Sequence, residues 1–520
     1  WSGSPLRGSA LPGPVGRTDD QVCFPFGTAA GPDGSIVSSM STTVTAPTQA
    51  GSRTRLLSWP VIAWGLWDWG SAAFNAVITT FVFTVYLVSD SFGAKADNES
   101  ALSLGLAIAG LFIALLAPVT GQRSDRGGRT VFWLGGYTAV VVAVSAALFL
   151  VRPEPGYLWL GIVLLGVGNI FFELASVNYN AILNHLASKD RIGAVSGLGW
   201  GMGYLGGIVL LLILYVALVG PSPLVSFPAG SGMGVRVAML VSAAWFGLSA
   251  LPVLINRSRR LGRSRAEHVA EVSEGMATAE PGRDRAAMEA EPVEAVSHQG
   301  RRKESILTSY KLLWRTLLQL HHFQPRLLWF LLAAAVFRDG LAGVFTYGGI
   351  IAQNTFGFSS GDVIIFAIVA NIVAGIATIW AGRLDDRFGP RNVIMASLII
   401  LVVAGLLVFF LHSAGTVAFW VLGLLLSACV GPAQSAARSF LARLIPEGQE
   451  GEIFGLYATT GRAVSFMAPA MYGIFIYLGT RIVGPGANYW GILGIVAVLA
   501  TGLLLMLRVG NPVAEQESAT

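Results

Sequence analysis

Twelve separate apolar blocks, each about as long as a helix that spans a bilayer, dominate this 520-residue sequence. Such a helix needs about 20 residues to cross the roughly 30 Å of hydrocarbon. Charged residues make up only 12% of the chain, about half the share of a typical soluble domain. The sequence therefore predicts an all-α membrane protein with many spans and argues against a soluble enzyme.

The blocks fall into two groups of six, separated by a polar stretch at residues 256–326. The predicted spans are 61–88, 101–121, 131–151, 157–183, 194–219 and 235–255, then 327–352, 362–381, 392–411, 416–437, 452–478 and 488–508. Two six-helix halves joined by a linker are typical of transporters built from parallel repeats. The predicted domains are a leading segment 1–58, a first half 59–255, a cytoplasmic linker 256–326, a second half 327–508 and a tail 509–520.

Basic residues between the blocks are concentrated on one side of the predicted membrane. Besides the linker, that side has Arg53, Arg55, Arg123, Arg126, Arg129, Lys189, Arg191, Arg383, Arg387, Arg391, Arg438, Arg443 and Arg508. The other side has Lys95, Arg152, Arg236 and Arg481. By the positive-inside rule, both termini and the linker are predicted to be cytoplasmic. The preference for Arg over Lys, with abundant Gly, Ala and Val, suggests a GC-rich bacterial genome. The predicted location is therefore a bacterial cell membrane.

Two segments outside the blocks carry predictions of their own. Apolar residues recur at helical spacing between Ile306 and Leu320 in the linker. This pattern indicates either an amphipathic helix in the membrane interface or a helix packed beneath the bundle. Residues 1–39 are rich in Gly, Pro and Ser, and Met40 begins a stretch typical of a bacterial start. We expect residues 1–39 to be upstream sequence rather than part of the native protein.

No cofactor or metal site is predicted. Cys23 and Cys429 are the only cysteines, the six histidines lack metal-ligand spacing, and no lysine follows a glycine. The chain therefore has no GxxxxGK[ST] phosphate loop, which excludes an ATP-driven pump within it. We attribute the net charge of +5 to membrane topology rather than nucleic-acid binding. The expected partners are a small solute, protons and the lipid bilayer, and we expect a monomer.

A short motif recurs at the same place in each half. Residues 121–128 and 382–389 both fit G-x-x-x-D-R-x-G and lie 261 positions apart. Chance poorly explains a repeat at a matching position. The residues assigned to these two predicted gating loops are Gly121, Asp125, Arg126, Gly128 and Arg129, then Gly382, Asp386, Arg387, Gly389 and Arg391.

The motif resembles the signature of the major facilitator superfamily, in which it lies in the loops between helices 2 and 3 and between helices 8 and 9. The resemblance covers the whole membrane region and implies twelve helices in two pseudo-repeats. It also implies that Asp125 and Asp386 pair with arginines and helix ends to latch the cytoplasmic side closed. A tight basic turn that serves only topology is the alternative interpretation.

Three further segments resemble the autophagy-related vacuolar effluxer family and its bacterial relatives. The segments are residues 67–86, which begin Trp67-Asp68-Trp69, residues 179–207 around Tyr179-Asn180-Ala181, and residues 434–457, which include Arg438-Ser439. The eukaryotic members of that family are associated with amino-acid efflux from vacuoles. This resemblance therefore implies efflux of an amino acid or a similar zwitterion.

A glycine-rich stretch in the fifth predicted span has a structural interpretation. Residues 201–206 formally spell the dinucleotide-binding pattern G-x-G-x-x-G, but they lie inside an apolar span with no preceding strand. Gly199, Gly203 and Gly207 are spaced four residues apart on one helix face. We predict that these three glycines allow close helix packing.

Two carboxylates lie within predicted spans, where ionisable side chains are costly and usually functional. Asp68 is on the first span and Glu173 on the fourth. Polar residues that share their helix faces are Ser71, Asn75, Asn169 and Asn180. Helices 1 and 4 line the central cavity in the superfamily, so by resemblance both carboxylates are expected to face one aqueous space at similar depth. Helix–helix hydrogen bonding without transport chemistry is the alternative.

Two arginines on predicted spans supply positive charge. Arg338 precedes Asp339 on the seventh span, and Arg462 is on the eleventh. A buried arginine can hold a carboxylate through two hydrogen bonds. That carboxylate belongs either to a substrate or to Asp68, Glu173 or Asp339, and a purely structural ion pair is an equal alternative. Further candidates for the cavity are Asn371 and Gln434, although packing is the favoured explanation for each.

These features predict a secondary active transporter that moves a small polar solute by alternating access. Proton coupling is expected because a nucleotide motif is absent while two membrane carboxylates are present. The resemblance favours an exported amino acid. An exporter of drugs or amphiphiles is one alternative, and a non-transporting scaffold or sensor with the same fold is another.

Overall fold

The computed structural model describes residues 56–219, 223–228, 230–278, 315, 325–446 and 448–510. Within them, twelve helices are long and apolar enough to cross a membrane. They are α1 (Trp59–Leu87), α2 (Lys95–Gly127), α3 (Thr130–Leu150), α4 (Pro155–Leu186), α5 (Ile192–Val219), α6 (Met233–Ile255), α7 (Pro325–Phe356), α8 (Gly361–Phe388), α9 (Pro390–Phe410), α10 (Thr416–Leu444), α11 (Glu450–Val483) and α12 (Ala487–Leu507). The predicted all-α membrane fold with twelve helices is confirmed.

Two predictions concern stretches that are not described. The prediction for residues 1–39 concerns a stretch wholly outside the described residues. The predicted amphipathic helix between Ile306 and Leu320 also lies outside them, apart from Arg315. Both stay predictions.

The observed helices differ from the predicted spans mainly at four ends. α2 begins at Lys95, before the predicted start at 101. α2, α8 and α10 end at Gly127, Phe388 and Leu444, beyond the predicted ends at 121, 381 and 437. Most of each predicted gating loop is therefore helical, which corrects its assignment to a loop. A span predicted from hydropathy ends at the first charged residues. The helix itself continues, because Arg, Leu and Ala all have high helix propensity.

The last glycine of each motif copy ends the helix before it. Gly128 has a φ of 57° and Gly389 a φ of 84°, and residues other than glycine rarely adopt these backbone conformations. Pro390 is the first residue of α9. The N–H at this position has no acceptor within the helix, so proline, which lacks an N–H, is well accommodated there. The repeated glycines thus fix where α2 and α8 stop and how the chain turns into the next helix.

The helices pack as two halves. In the first half, α1 packs against α5 and α6, and α4 packs against α2 and α3. In the second, α7 packs against α11 and α12, and α10 packs against α8 and α9. The halves meet chiefly where α2 lies along α11 and α5 along α8. We call the end with the α2–α3, α4–α5, α8–α9 and α10–α11 connections the basic end, because Arg126, Arg129, Lys189, Arg391 and Arg443 lie there.

Stacked aromatic side chains hold the first half together beside its polar residues. The Trp67 ring lies 4.3 Å from the Tyr179 ring and 6.0 Å from the Phe172 ring, measured between centroids. The Trp67 indole N–H donates to the Thr138 hydroxyl at 3.1 Å. Lipid is as apolar as these side chains, so van der Waals packing and hydrogen bonds stabilise such contacts. The packing fixes the backbone of α1 around Asp68.

Adjacent leucines on α7 test how much this packing contributes. Leu331 is 2% exposed and Leu332 is 44% exposed. We expect Leu331→Ala to lower the free energy of unfolding by about 2–5 kcal/mol, because it leaves a cavity among packed side chains. Leu332→Ala on the lipid-facing surface should change it by less than about 1 kcal/mol. Thermal unfolding of both variants in one detergent measures the difference, and equal melting temperatures would contradict it.

Candidate functional site

One buried cluster of charges joins α1, α4 and α10. Arg438 on α10 donates from Nη1 to Asp68 Oδ2 at 3.2 Å, and the Tyr179 hydroxyl on α4 donates to the same oxygen at 2.9 Å. The Arg438 and Asp68 side chains are 5% and 17% exposed. Removing one member of a buried ion pair leaves an uncompensated charge, so each of these ions depends on the other.

Further contacts of Arg438 reach one more helix of the first half, α5. Its Nε donates to the Ser196 hydroxyl at 2.9 Å, and its Nη2 donates to the Ser196 carbonyl at 2.7 Å. Its Nη1 also donates to Asn180 Oδ1 at 3.3 Å. The guanidinium carbon lies 4.9 Å from the Trp64 ring centroid and 5.6 Å from that of Trp200, within the range of cation–π contacts. Arg438 therefore ties the second half to α1, α4 and α5.

Arg438 was predicted to be a loop cation, and that prediction is wrong. Arg438 is 4% exposed and lies within α10. Arg338 and Arg462 were the partners considered for Asp68, yet neither contacts it in the described part of the chain. The signal that α10 continues was the pair of apolar residues that follow, Phe440 and Leu441, both of which are buried.

A second ion pair joins α4 and α11. Arg462 Nη2 donates to Glu173 Oε1 and lies 3.4 Å from Asn169 Oδ1. The Arg462 and Glu173 side chains are 31% and 24% exposed, more than those of the Asp68–Arg438 pair. The two predicted carboxylates thus belong to separate ion pairs, each made across the two halves. The Glu173–Arg462 pair is the more exposed of the two.

The two pairs lie at different positions along α4. Asn180, which contacts Arg438, follows Glu173 by seven residues on this helix, about 10 Å at 1.5 Å per residue. The chain of α4 runs towards the basic end. The Asp68–Arg438 cluster therefore lies between the basic end and the Glu173–Arg462 pair.

The predicted pair on α7 makes structural contacts with α11. The Arg338 guanidinium lies 4.1 Å from the Tyr457 ring centroid. Asp339, which is 8% exposed, accepts a hydrogen bond from the Ala468 N–H at 2.6 Å. This N–H belongs to the first turn of Met467–Val483, the helical segment after a short break in α11. Asp339 therefore holds the start of that segment.

Four other predicted polar residues lie apart from the ion pairs. The Ser71 hydroxyl donates to the Asp68 carbonyl at 3.0 Å, and the Asn371 side chain donates to the Ala367 carbonyl at 2.8 Å. Asn75 is exposed, within a π-helical segment of α1. The partly buried Gln434 side chain makes no hydrogen bond with the described residues.

Asp125 of the first motif copy caps the start of α11. Its two carboxylate oxygens accept hydrogen bonds from the Gly451 and Glu452 N–H groups, both at 2.9 Å. The first N–H groups of a helix lack partners within it and favour a negative charge. The approach is close, because a Cβ on Gly451 would lie 2.7 Å from the Gly121 carbonyl oxygen.

Asp386 of the second copy caps the start of α5 in the same way. It accepts hydrogen bonds from the Gly193 and Ala194 N–H groups at 2.8 and 2.9 Å. Arg443 Nη2 also lies 2.9 Å from Asp386 Oδ1. A Cβ on Gly382 would lie 2.6 Å from the Gly193 carbonyl oxygen. Each motif copy thus joins its own half to the first turn of a helix in the other half.

Asp385 also contributes to the contacts at the basic end, although it was not predicted from the sequence. It is 1% exposed, and both Arg443 and Ser439 donate hydrogen bonds to its carboxylate. Arg443 therefore bridges the adjacent Asp385 and Asp386. The doubled aspartate was a signal present in the sequence.

The remaining motif residues and the three predicted packing glycines occupy defined places. Arg391 Nε donates to the Val509 carbonyl at 2.6 Å. Arg126, Arg129 and Arg387 are exposed at the basic end. Gly199, Gly203 and Gly207 lie against α1, where a Cβ on Gly199 would come within 2.6 Å of the Trp64 ring. Among the described residues, no group of three or more His, Cys, Asp or Glu side chains could hold a metal ion.

Solved structures of known transporters share this arrangement. The proton:xylose symporter XylE superposes with a TM-score of 0.60 at 15% identity, covering 87% of this chain and 94% of its own. A bacterial homologue of the iron transporter ferroportin, in an outward-facing state, gives a TM-score of 0.59 at 12% identity, covering 88% and 99%. At these identities the likeness shows the fold.

Sequence relatives extend the likeness along most of the chain. The uncharacterized MFS-type transporter YxiO of Bacillus subtilis is 24% identical over 448 residues, which are 85% of this chain and 93% of that protein. Autophagy-related protein 22-1 of Neosartorya fischeri is 24% identical over 297 residues, 54% of this chain and 43% of that protein. Residues 84–517 match the family described as "Vacuole effluxer Atg22 like".

Two six-helix halves that meet through paired motif copies define the fold of the major facilitator superfamily. Within that superfamily, the chain belongs to the Atg22-like vacuole effluxer family. Both resemblances stated from the sequence are confirmed.

The capping contacts at the basic end lead to a test of their contribution. A hydrogen bond to a charged group contributes about 1.5–3 kcal/mol. We expect Asp125→Asn and Asp386→Asn each to shift a balanced equilibrium about tenfold towards an open basic end, since each removes the charge that faces a helix N-terminus. The measurement is thiol labelling of Ser435→Cys, a site 2% exposed beside Ser196, in a background free of Cys23 and Cys429.

Asp362→Asn is the matched control for both latch variants. Asp362 also caps a helix, but its bonds to Ser359 stay within its own half. Labelling should rise in the first two variants and stay unchanged in the control. Unchanged labelling in all three would leave the motif with a role in topology only.

Proposed function

We propose that this protein is a secondary active transporter that exports a small zwitterionic solute, best matched by an amino acid, in exchange for protons. The observation that carries the proposal is that two ion pairs, Asp68–Arg438 and Glu173–Arg462, each join the two halves across the central interface. Alternating access requires such contacts between halves to break and re-form in each cycle.

The Glu173–Arg462 pair has the charges of a zwitterion's binding site. A carboxylate and a guanidinium side by side match the α-ammonium and α-carboxylate of an amino acid, and Arg in particular suits a carboxylate. Without solute, the two side chains satisfy each other. An entering zwitterion replaces that contact with two new ion pairs, and Asn169 beside Arg462 adds a hydrogen-bonding amide.

The Asp68–Arg438 pair is suited to couple proton binding to gate opening. A proton on Asp68 removes the charge that attracts Arg438, which weakens the tie between α10 and the first half. Arg438 holds Ser196 at the start of α5, so its release loosens the contact beside the Asp386 cap. Proton uptake therefore favours opening of the basic end.

The proposed direction of transport rests on the predicted topology and on the family. Under the positive-inside rule, the basic end faces the cytoplasm, together with both termini. Contacts between the halves at this end then correspond to an outward-open state, in which Asp68 can take up a proton from outside. The Atg22-like effluxer family supports export, and similarity to a Bacillus subtilis protein supports a bacterial cell membrane.

Reconstituted proteoliposomes test the proposal directly. Purified protein should exchange labelled amino acids across the bilayer and accumulate them against a gradient when a pH difference is imposed. A parallel panel of amphiphilic cations separates the drug-exporter alternative, because transport of those compounds in place of amino acids would overturn the proposal. Absence of any solute movement would favour the scaffold alternative.

Variants of the second pair test zwitterion recognition. We expect Glu173→Gln to weaken amino-acid binding about 10- to 100-fold, because it removes the partner of the solute's ammonium group. Binding of the corresponding carboxylic acid without the amino group should be unaffected. Arg462→Gln should weaken both ligands. Scintillation proximity binding measures each affinity, with the exposed Glu154→Gln as the control, and equal effects of Glu173→Gln on both ligands would contradict this assignment.

Asp68 provides the test of proton coupling. Asp68→Asn should abolish pH-driven accumulation while leaving counterflow exchange, which needs no net proton movement. Since this change leaves Arg438 without a counter-charge, Asp68→Asn/Arg438→Gln should restore folding and remain uncoupled. Asp97→Asn, an exposed aspartate at the opposite end, is the control. Accumulation with wild-type pH dependence in the folded Asp68 variants would place coupling elsewhere.

A further inference from the structure

An apolar groove lies on the outer surface of the second half, between α8, α9 and α10. Its volume is about 510 Å³, within the roughly 300–1,000 Å³ of ligand sites. The groove is separate from both ion pairs. Its lining residues include Ala377, Trp380, Phe388, Asn392, Ala396 and Ser397.

Small side chains create the groove. Ala377 on α8 faces Ala396 on α9 and Ala428 on α10 across it, so three neighbouring helices leave space that larger residues would fill. Trp380 and Phe388 are 64% and 55% exposed on the surface that faces lipid. An unfilled gap between helices loses van der Waals contacts. On a surface that faces the membrane, the acyl chains of lipids can fill such a gap.

The length of the groove matches one leaflet of a bilayer. Along α8 it runs from Ala377 to Phe388, about 16 Å at 1.5 Å per residue. Half of the roughly 30 Å hydrocarbon core is about 15 Å. Phe388 and Asn392 lie at the basic end, so the groove runs from the membrane surface there to about the bilayer centre.

Positive charge stands at the surface end of the groove. The Arg387 guanidinium carbon lies 5.2 Å from the centroid of Phe388, which lines the groove. Arg383, one turn earlier on α8, is also exposed. Ser397, about one turn below Asn392, has a hydroxyl that makes no hydrogen bond with any described residue. Charge, a polar group just beneath it and an apolar channel follow the order of a phospholipid's phosphate, ester and acyl chain.

We propose that this groove binds one anionic phospholipid of the leaflet at the basic end. One acyl chain lies between α8, α9 and α10, and the phosphate lies against Arg387 and Arg383. The arginines select an anionic lipid over a zwitterionic one, since each basic side chain near the surface adds attraction to anionic headgroups. Arg387 follows directly in the chain after Asp386, the residue that caps α5.

Native mass spectrometry of the full chain, with phosphatidylglycerol and phosphatidylcholine added separately, tests the site. The wild type should retain one tightly held phosphatidylglycerol after extensive delipidation. Ala396→Trp, which fills the groove, should lose that lipid. Val403→Trp is the matched control, because Val403 is on the same helix, is 52% exposed and does not line the groove.

A second pair of variants tests the headgroup contact and stands independently of the packing change. Arg387→Gln should lower the preference for phosphatidylglycerol over phosphatidylcholine about fivefold. Arg481→Gln is its control, since Arg481 also lies 5.2 Å from a neighbouring ring, that of Tyr477, but at the opposite end. Retention of the lipid by Ala396→Trp, or equal retention of the two lipids by the wild type, overturns the proposal. Competition by soluble glycerophosphate also overturns it, because that result needs no acyl chain.

Discussion

A charge inside a membrane protein is stable only beside a partner, and for Asp68 and Glu173 that partner comes from the opposite half. Asp68 and Glu173 belong to α1 and α4, while Arg438 and Arg462 belong to α10 and α11. Either half alone would expose unpaired charges along its inner face. The ion pairs that complete the bundle therefore form only when the two halves meet. A proton or solute that replaces one partner of a pair weakens the association of the halves.

Backbone groups supply the second kind of partner. The first N–H groups of α5 and α11 have no acceptors in their own helices, and Asp386 and Asp125 provide them. Glycine at each contact lets the backbones approach closely enough for the carboxylate to reach. One short motif thus repeats one physical solution twice, related by the pseudo-symmetry of the halves.

The surfaces of the second half divide according to what they meet. On its inner face, arginines form ion pairs with carboxylates of the first half. On its outer face, alanines lie beside exposed aromatic rings. Arg387 and Asp386 are neighbours in the chain but face these two different environments. The second motif copy therefore has one residue at the interface between the halves and the next on the outer surface.

The sequence by itself determined the number and order of the membrane helices, because each needs an unbroken apolar run long enough to span hydrocarbon. It also determined the repeated motif and the family, since both are patterns of residues along the chain. Where hydropathy was the guide, helix ends were wrong at α2, α8 and α10, because charged residues end an apolar window without ending a helix.

Only the tertiary structure decided which charges meet. Arg438 looks like a loop cation in the sequence, and Arg338 looks as suitable a partner for a carboxylate as Arg462 does. The structure pairs Arg438 with Asp68 and Arg462 with Glu173, while Arg338 stacks on Tyr457. Partners separated by 370 and 289 residues share no local signal, so their pairing depends on the packing of the two halves.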